Sequence, residues 1–395
     1  MNAIQQRIQS ITERLAEARD KRHYFFLQSV ERLDGAWVEL EGRRMLMMAS
    51  YGYLNLLQHP HINAAAQEAV ARYGTGTHGV RLLAGTLPLH QQLEQTIARF
   101  KGCADAIVYS SGYVTNLATI STLVGRNDVV ISDKLNHASI VDGCLLSGAQ
   151  FLRFAHNDMC ALERCLQRAG EAAKLVVVDA VFSMDGDIID LPNVVRLCRE
   201  YDALLMIDEA HSLGVLGATG RGIEEHFGMP GVIDVKMGTL SKTIPSIGGY
   251  VAGEADLIAF LKHAARGFIF SAALPPAQVA AAQAAFEVIV SEPERVAQLQ
   301  RNVTFFLAEL HARGFDTLNS STPIVPIICG SDELAYKMSR SCQDRDIFVL
   351  PIVSPAVPSG LARLRVNVTA AHTQADITLA LDVIEEAGHT HAILK

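Results

Sequence analysis

The sequence predicts an α/β protein with a large domain built around a mainly parallel sheet and a second, smaller α+β domain. From about residue 60 onward, short apolar runs alternate with helix-length segments, and the runs lack the polar alternation of a half-exposed strand. Strands that are apolar on both faces are typical of a parallel sheet covered by helices. The chain has 395 residues, 49% of them hydrophobic and 19% charged, which is enough to bury such a core.

Element boundaries follow from where these patterns start and stop. Residues 2–22 predict an amphipathic helix, and residues 36–49 alternate around Glu41-Gly42, which indicates a hairpin. The buried strands of the large domain are predicted at Ala106–Tyr109, Val129–Ser132, Phe151–Phe154, Leu175–Asp179, Leu204–Asp208 and Val232–Met237.

An alanine-rich helix follows Pro275-Pro276 and is expected to break near Pro293. The region after residue 315 predicts strands at Ile324–Ile328, Ile347–Leu350 and Ala362–Val368, with helices at 332–344 and 373–387. We therefore expect an N-terminal arm (1–48), a large domain (49–290) and a small C-terminal domain (291–395). The arm and the C-terminal part are expected to build the small domain together.

The charge balance excludes some classes of partner. Lys and Arg number 34 against 42 Asp and Glu, a formal net charge of −8, and no Lys/Arg-rich run is present, which argues against nucleic acid or an anionic membrane. No segment approaches the ~20 uninterrupted apolar residues of a membrane span, and the first twenty residues lack the apolar region of a signal peptide. Seven scattered cysteines without a C-x-x-C pattern indicate reduced thiols in a cytoplasmic protein.

Three short patterns match known sites without their required context. Gly74-Thr-Gly76-Thr-His-Gly79 has the spacing of a dinucleotide fingerprint, but it follows a predicted helix and no helix opens after it, so we expect a loop beside the site. Asp208-Glu-Ala-His211 resembles a helicase-type ATPase box, yet no Lys follows a Gly, so no phosphate loop exists. His59 and His61 lack the H-E-x-x-H spacing or a Cys/His cluster, and no metal site is expected.

Polar residues at the carboxyl ends of the predicted strands are the stronger signal, since open α/β sheets bind ligands there. The strand at 106–109 runs into Ser110-Ser111-Gly112-Tyr113 at a helix start, where free backbone N–H groups suit a phosphate, although a Ser here can simply be a cap. Asp208 closes a wholly apolar strand, where a carboxylate needs a partner; a structural salt bridge is the alternative.

Two cationic candidates follow later in the chain. Lys242 lies between an apolar strand and a Gly-rich turn, and a Lys of lowered pKa is the usual Schiff-base nucleophile; a surface lysine is the alternative. Arg363 and Arg365 are two apart on a strand and share a face, which suits a carboxylate ligand; a solvent-facing edge strand is the alternative.

Taken together, these residues resemble the α-oxoamine synthases, the pyridoxal-phosphate (PLP) acyltransferases that include 8-amino-7-oxononanoate synthase, glycine C-acetyltransferase, 5-aminolevulinate synthase and serine palmitoyltransferase. The resemblance extends from about Ala49 to Thr373 and implies the aspartate-aminotransferase fold, PLP fold type I. It rests on several blocks in the family's order: Gly85-Thr-Leu-Pro-Leu-His90, Ser110-Ser-Gly-Tyr113, Asn136-His-Ala-Ser139, Val181-Phe-Ser-Met-Asp-Gly-Asp187, Asp208-Glu-Ala-His-Ser-Leu-Gly214, Gly238-Thr-Leu-Ser-Lys242, Phe270-Ser271 and Ala370-Ala-His-Thr373.

The resemblance implies a role for each matching position. Lys242 is expected to form the Schiff base with the PLP aldehyde and then to act as general base on the amino acid Cα, with Asp208 pairing the pyridine nitrogen. His137 is expected to stack on the ring, and Ser183 and His211 to hydrogen-bond its phenolic oxygen. The residues implied around the PLP phosphate are Ser111, Gly112, Tyr113 and Thr239, with Ser271 and Ala272 reaching it from the partner subunit.

The implied reaction is a decarboxylative Claisen condensation of glycine, alanine or serine with an acyl thioester, giving an α-amino ketone, CO2 and free thiol. Arg365 is expected to bind the amino acid carboxylate, with Tyr51 and His137 also meeting substrate. A homodimer with shared active sites is implied, and coenzyme A and an acyl-carrier protein both stay open as acyl carriers. Alternatives are another fold-type-I PLP reaction, such as an aminotransferase or a retro-aldol lyase, and a non-catalytic partner subunit, against which Lys242 argues.

Two positions depart from the family pattern. Many members have an Asn that meets substrate where this chain has Tyr51, or Gly52 in the alternative alignment. Serine palmitoyltransferases and oxononanoate synthases have an Arg where this chain has Val353, which argues against either being its exact activity. Replacing that charge with Val predicts a more apolar acyl chain or a different carrier.

Overall fold

The computed structural model of the protein describes residues 1–394. The chain divides into two compact units: the large unit is Tyr51–Gln300, and the small unit is Met1–Ser50 together with the residues from Arg301 onward. Each unit has β-sheet of its own, so each buries apolar side chains around its own core.

Strands and helices alternate through most of the chain. The helices are α1 (Ala3–Asp20), α2 (Pro60–Tyr73), α3 (Pro88–Lys101), α4 (Gly112–Leu123), α5 (Ala138–Ser147), α6 (Met159–Ala169), α7 (Leu191–Glu200), α8 (Ile223–Phe227), α9 (Ala255–Ala264), α10 (Arg266–Ile269), α11 (Pro276–Ser291), α12 (Glu294–Ala312), α13 (Asp332–Asp344) and α14 (Gln374–Thr390). The strands are β1 (Val30–Asp34), β2 (Trp37–Leu40), β3 (Arg43–Met47), β4 (Asp105–Tyr109), β5 (Val129–Asp133), β6 (Gln150–Phe154), β7 (Lys174–Asp179), β8 (Ala203–Asp208), β9 (Val235–Thr239), β10 (Gly249–Gly253), β11 (Ile324–Gly330), β12 (Ile347–Phe348), β13 (Leu350–Ile352) and β14 (Ala362–Asn367).

The large unit contains a seven-stranded sheet in the order β4-β10-β9-β8-β7-β5-β6. Strand β10 runs antiparallel to both of its neighbours, and the remaining neighbouring pairs are parallel. The carboxyl ends of β4, β5, β7, β8 and β9 therefore lie along one edge of the sheet. The predicted α/β architecture with a mainly parallel sheet is confirmed.

The core of this sheet is apolar, which is why its strands lack polar alternation. Ile107, Val130, Val177, Met206 and Val251 come from five different strands and are each 0% exposed. Full burial of a side chain of this size contributes about 1.5–3 kcal/mol to the free energy of unfolding. This packing fixes the strand ends, and with them the polar residues that follow.

Two details of the predicted sheet are wrong. Strand β9 begins at Val235 and not at Val232, because the Asp234 carboxylate caps the Leu205 N–H at 2.8 Å just before the strand starts. Strand β10 was not predicted, since glycines at both of its ends resemble turn residues. Those glycines permit close contact: a Cβ on Gly249 would lie 2.8 Å from the Cα of Gly112, at the start of α4.

The loop after β8 is anchored by a buried charge. Glu209 accepts a hydrogen bond from the Ile223 N–H at 2.9 Å through Oε1, and the Lys101 ammonium pairs with Oε2. Both side chains of the ion pair are almost fully buried, so loss of either partner would leave an isolated buried charge. This anchor holds the chain in place next to Asp208.

The small unit contains a four-stranded sheet, β1-β2-β3-β12, and a three-stranded sheet, β11-β14-β13. The predicted hairpin is present as β2 and β3, and β1 adds a strand that was not predicted. The strand predicted at 347–350 divides in two, because β12 pairs with β3 whereas β13 pairs with β14 in the other sheet. The break near Pro293 separates α11 from α12 as predicted.

The two arginines of β14 are buried. This strand lies between β11 and β13, and Arg363 and Arg365 are only 1% and 5% exposed, so the solvent-facing edge-strand alternative is wrong. Arg365 donates from Nη1 to the Oδ1 of Asn367 at 3.0 Å. The role of Arg365 in binding substrate stays a prediction.

Candidate functional site

A cavity of about 260 Å³ opens at the carboxyl edge of the parallel strands in the large unit. Polar side chains from the ends of β7 and β8 and from the segments after β4, β5 and β9 line it. The predicted site residues in its wall are Ser111, Gly112, Tyr113, His137, Ser183, Asp208, His211, Thr239 and Lys242. Polar residues that were not predicted also line it, namely Asn116, Ser139, Asp179 and Ser241.

The start of α4 forms one corner of the cavity. Ser111 is the N-cap, and its Oγ accepts the Val114 N–H at 3.1 Å. Gly112 and Tyr113 open the helix, where the first N–H groups have no acceptor within the helix itself. A Cβ on Gly112 would lie 2.8 Å from the Thr239 hydroxyl, so glycine is what allows this hydroxyl to approach the helix start. The corner combines N–H groups, hydroxyls and a helix dipole, the donor set that suits a phosphate.

The amine of Lys242 lies at a second position in the wall. Its Nζ is 2.9 Å from Nε2 of His211, whose Nδ1 is 2.8 Å from the hydroxyl of buried Tyr53. A protonated amine only donates, so Nε2 then accepts and Nδ1–H donates to Tyr53. The ring of Tyr51 has its centroid 5.9 Å from Nζ. Lys242 is half-buried and faces the cavity, so the surface-lysine alternative is wrong.

The carboxylate of Asp208 lies at the end of β8 and is 4% exposed. It accepts hydrogen bonds from Nδ2 of Asn116 at 2.7 Å and from the Ala210 N–H at 2.8 Å. Within residues 1–394 it forms no ion pair, so the structural salt-bridge alternative is wrong. Two neutral donors hold it in place, and the side facing the cavity is available for a cationic ligand atom.

A second carboxyl group, that of Asp179, ends the neighbouring strand and pairs in register with Asp208. Burial and the negative charge of Asp208 raise the pKa of Asp179 well above its usual value, which favours a proton on Asp179. Its Oδ2 accepts the His137 N–H at 2.9 Å. Asp179 therefore links the end of β7 to the backbone of His137.

The imidazole of His137 faces the cavity, with the Tyr113 ring nearly perpendicular to it at 6.3 Å. Desolvation by the surrounding wall lowers the pKa of His137; the charge of Asp208 opposes this, and that of Lys242 adds to it. The ring is therefore neutral near neutral pH. A neutral imidazole beside the Lys242 amine avoids repulsion between two cations.

His156 fixes the loop that carries Ser183. Its Nδ1 is 3.1 Å from Oδ1 of Asp133 and its Nε2 is 2.9 Å from Oδ2 of Asp187. Burial disfavours the charged ring, but the hydrogen bonds and charges of Asp133 and Asp187 outweigh it and raise the pKa of His156 to about 10. The imidazolium thus ties the end of β5 to the loop 181–187.

Replacing His156 with glutamine should lower stability in a pH-dependent way. The folded pKa lies above the unfolded value, so the contribution of His156 is complete below about pH 6.5 and is lost as the pH rises through about 10. We expect the melting temperature to fall on the order of 5 °C at pH 6 and to match the wild type near pH 10. Calorimetry across this range measures it. His263→Gln, at a surface histidine that bonds its own helix, is the control; a pH-independent loss in H156Q would contradict the charge argument.

Four predicted residues lie outside the wall of this cavity, and one of them is Tyr51, whose ring lies beside the Lys242 amine. Ser271 and Ala272 are not in the wall of this cavity; Ala272 pairs with Val80 in an isolated bridge, and neighbouring Phe270 is 71% exposed. Arg365 belongs to β14 of the small unit. That Ser271 and Ala272 act in a partner's site stays a prediction.

Sequence reasoning missed five residues at the site, one of which is Ser241, directly before Lys242. Asn116 is the fifth residue of α4, whose start was predicted, and Ser139 is the second residue of α5, whose start was not predicted. Asp179 ends a predicted strand just as Asp208 does, and this parallel was available in the sequence. Tyr53 could not be found, because its contact with His211 spans 158 positions.

The cavity fits PLP by its donor set. A lysine amine, a buried carboxylate and a helix start meet in one wall, and these match an aldehyde, a ring nitrogen and a phosphate respectively. The glycine at 112 keeps the phosphate corner open, since a side chain there would strike Thr239.

In the part of the chain that the structure describes, no cluster of three or more His, Cys, Asp or Glu side chains is arranged to hold a metal ion. No helix among residues 1–394 has both the length and the apolar character needed to cross a membrane.

Comparisons of sequence and of structure relate this chain to known enzymes. The family model described as aminotransferase class I and II matches residues 43–384. The chain is 46% identical over 383 residues to the 8-amino-7-oxononanoate synthase of Geobacter sulfurreducens, covering 96% of this chain and 98% of that protein. It is 42% identical over 372 residues to the serine palmitoyltransferase of Sphingobacterium spiritivorum, covering 94% and 92%. A solved serine palmitoyltransferase variant from S. paucimobilis with a bound PLP–myriocin aldimine has a TM-score of 0.96 and 34% identity, with 100% of both chains covered.

Proposed function

The chain belongs to the aminotransferase class I and II family and, within it, to the PLP-dependent α-oxoamine synthases, and from this premise we propose that it condenses a small α-amino acid with an acyl thioester. A carbon–carbon bond forms between the amino acid Cα and the acyl carbon while the acyl–sulfur bond breaks. The amino acid carboxylate leaves as CO2, and the products are an α-amino ketone and a free thiol. Glycine, alanine and serine are the candidate amino acids.

One observation carries this proposal: Lys242, Asp208 and the start of α4 meet in a single cavity at the carboxyl edge of the sheet. Bound PLP supplies an electrophilic aldehyde and a ring that accepts electron density from the substrate carbon. Lys242 is the residue to attach it and to move the proton at the substrate Cα, with His211 and Tyr53 holding the amine in place. Asp208 would pair with the ring nitrogen of PLP and, by its negative charge, favour a proton there.

The remaining residues bind and orient. The N–H groups of Gly112 and Tyr113 and the hydroxyl of Thr239 are the groups to hold the phosphate. His137 is proposed to stack on the ring, and Ser183 and His211 to reach its phenolic oxygen. Arg365 is proposed to bind the amino acid carboxylate bidentately, and Tyr51 to contact substrate beside Lys242.

Substrate screening tests the proposal directly. The purified protein is titrated with amino acids and then with acyl thioesters, while absorbance, thiol release and CO2 from carboxyl-labelled amino acid are followed. We expect CO2 and thiol in equal amounts, and only when both substrates are present. Turnover of the amino acid without either product would instead favour an aminotransferase or a retro-aldol lyase.

The acyl chain is proposed to be more apolar than the substrates of family members that have Arg at the position of Val353. A matched pair, wild type and Val353→Arg, is assayed with acyl-CoA thioesters of increasing length and with the same chains on acyl-carrier protein. We expect the wild type to prefer longer chains and the variant to shift toward shorter or charged ones. Equal rates across the series in both proteins would rule the idea out.

A cytoplasmic location is proposed as well, since all seven cysteines are free thiols.

We further propose that the active sites are shared in a homodimer, with Ser271 and Ala272 of one subunit reaching the phosphate in the other. Two-fold dimers are the commonest oligomers, and in an isologous dimer a contact made by one subunit is repeated by the other, so both sites would be shared in the same way. The position of Ser271 and Ala272 outside their own cavity wall supports the arrangement.

Subunit complementation checks the shared site. Lys242→Ala and Ser271→Asp, the latter placing a negative charge against the phosphate, are each expected to be nearly inactive. A purified mixed dimer of the two should regain about half of wild-type activity, because one of its sites then has both intact residues. If Ser271 served its own subunit, both sites of the mixed dimer would carry one lesion and no activity would return. An active monomer in sedimentation would also overturn the proposal.

A further inference from the structure

A continuous chain of hydrogen bonds joins the Asp208 carboxylate to the His137 imidazole. Nδ2 of Asn116 is 2.7 Å from Oδ2 of Asp208 and 2.9 Å from Oγ of Ser139. Oγ of Ser139 is in turn 2.7 Å from Nδ1 of His137. Asn116 and Ser139 are each 1% exposed, so solvent does not compete for these bonds.

The chemistry of the four groups determines which atom donates the hydrogen in each of these hydrogen bonds. An ionised carboxylate only accepts, so Asn116 turns its amino group toward Asp208 and uses one hydrogen there. The second hydrogen of the same amino group is donated to Ser139 Oγ, which acts as an acceptor. The hydroxyl hydrogen of Ser139 is then left to be donated to Nδ1 of His137.

A second donor reaches the same ring nitrogen. The backbone N–H of Ser139 points at Nδ1 of His137 at 3.2 Å, and a backbone N–H cannot accept. Nδ1 therefore carries no hydrogen, and the single hydrogen of the neutral ring is on Nε2. Desolvation keeps the ring neutral, as described above, so this tautomer is the one that faces the cavity.

We propose that Asn116 and Ser139 are positioning residues that hold His137 in the Nε2–H tautomer, so that His137 offers a hydrogen-bond donor to an oxygen of the bound substrate. The tautomer follows from the hydrogen-bond directions alone, whereas its use on substrate rests on the proposed function. Because the chain starts at Asp208, the group that is proposed to meet the ring nitrogen also sets the proton position on His137. Uncharged His137 can donate without repelling the Lys242 amine.

The test reads the tautomer itself. The PLP-loaded protein is labelled with ¹⁵N-histidine, and solid-state NMR assigns the His137 signals by their loss in His137→Gln. We expect one neutral species with hydrogen on Nε2 in the wild type. Ser139→Ala and Asn116→Leu should each raise the Nδ1–H form to tens of percent, and Ser139→Thr, which keeps the hydroxyl, should restore the wild-type spectrum. On PLP-loaded enzyme, kcat/KM for the amino acid should fall about five- to tenfold in S139A, the effect of one misdirected hydrogen bond.

Two comparisons separate this role from a structural one. Ser132 is a buried serine whose Oγ accepts from Nδ2 of Asn136 at 2.8 Å, so Ser132→Ala removes the same kind of bond and should leave the His137 tautomer unchanged. If the two residues act through one chain, Asn116→Leu should have no further effect in an S139A background. A wild-type tautomer in S139A, or additive effects, would overturn the proposal. Failure of the proposed function would look different, as a protein that shows the expected His137 tautomers but releases no CO2 and no thiol in the substrate screen.

Discussion

Replacing Lys242 with alanine is expected to lower turnover by about 10⁴-fold, the largest effect we predict for any single side chain. The amine lies 2.9 Å from His211 in the cavity wall, and among the described residues of the lining no other side chain carries an amine. Steady-state thiol release measures the loss. PLP should still bind through the phosphate corner, but without a covalent link.

Borohydride reduction adds a direct readout of that link. In the wild type, reduction should fix PLP on a single peptide containing Lys242, and in the variant no peptide should be labelled. Lys134→Ala, at an exposed lysine near the same edge of the sheet, is the control and should keep both labelling and activity. Substantial turnover in Lys242→Ala, or a label on another lysine, would remove the basis of the proposed function.

The second large effect is expected from Asp208→Asn, which should lower kcat by about 10³-fold while PLP still binds. Asparagine has nearly the same shape and keeps an acceptor, but it has no charge to hold a proton on the ring nitrogen. The absorbance spectrum of the bound cofactor should shift together with the loss of rate. The His137 tautomer should also become mixed, because Asn116 is no longer forced to turn its amino group toward position 208.

A matched control comes from the opposite end of the same sheet. Asp234 caps the Leu205 N–H at 2.8 Å just before β9, and Asp234→Asn retains an oxygen acceptor there. We expect unchanged spectra and activity in this variant. An equally large loss in D234N would mean that general damage to the sheet, and not the charge at position 208, causes the effect.

Much of the cavity wall was predictable because its residues lie at strand ends. A buried parallel strand is visible as an apolar run, and the polar residue that stops the run must lie at the carboxyl edge. Asp208 and Lys242 were found in this way, and Ser111 to Tyr113 by the helix start that follows β4. Sequence reasoning alone left each of them with a plain structural alternative, and only their meeting in one cavity removed it.

The missed features have physical causes. Strand β10 is bounded by glycines that sequence rules assign to turns, yet its pairing with β4 and β9 overrides that local preference. The predicted strand at 347–350 is divided because β12 pairs with β3 in one sheet and β13 pairs with β14 in another, and a local sequence pattern does not show which sheet a segment joins. Asn116 and Ser139 are ordinary helix residues until a carboxylate 92 positions away is brought against one of them.

By itself, the order of residues determined the fold class and the strand-end chemistry, since burial on both faces and polar residues at strand ends are properties of local segments. Only the three-dimensional arrangement decided which side chains share a hydrogen bond. The direction of a proton along Asp208, Asn116, Ser139 and His137 depends on distances of about 3 Å between groups far apart in the chain. Such distances come from packing the whole sheet, because each bond requires an alignment that no local segment fixes.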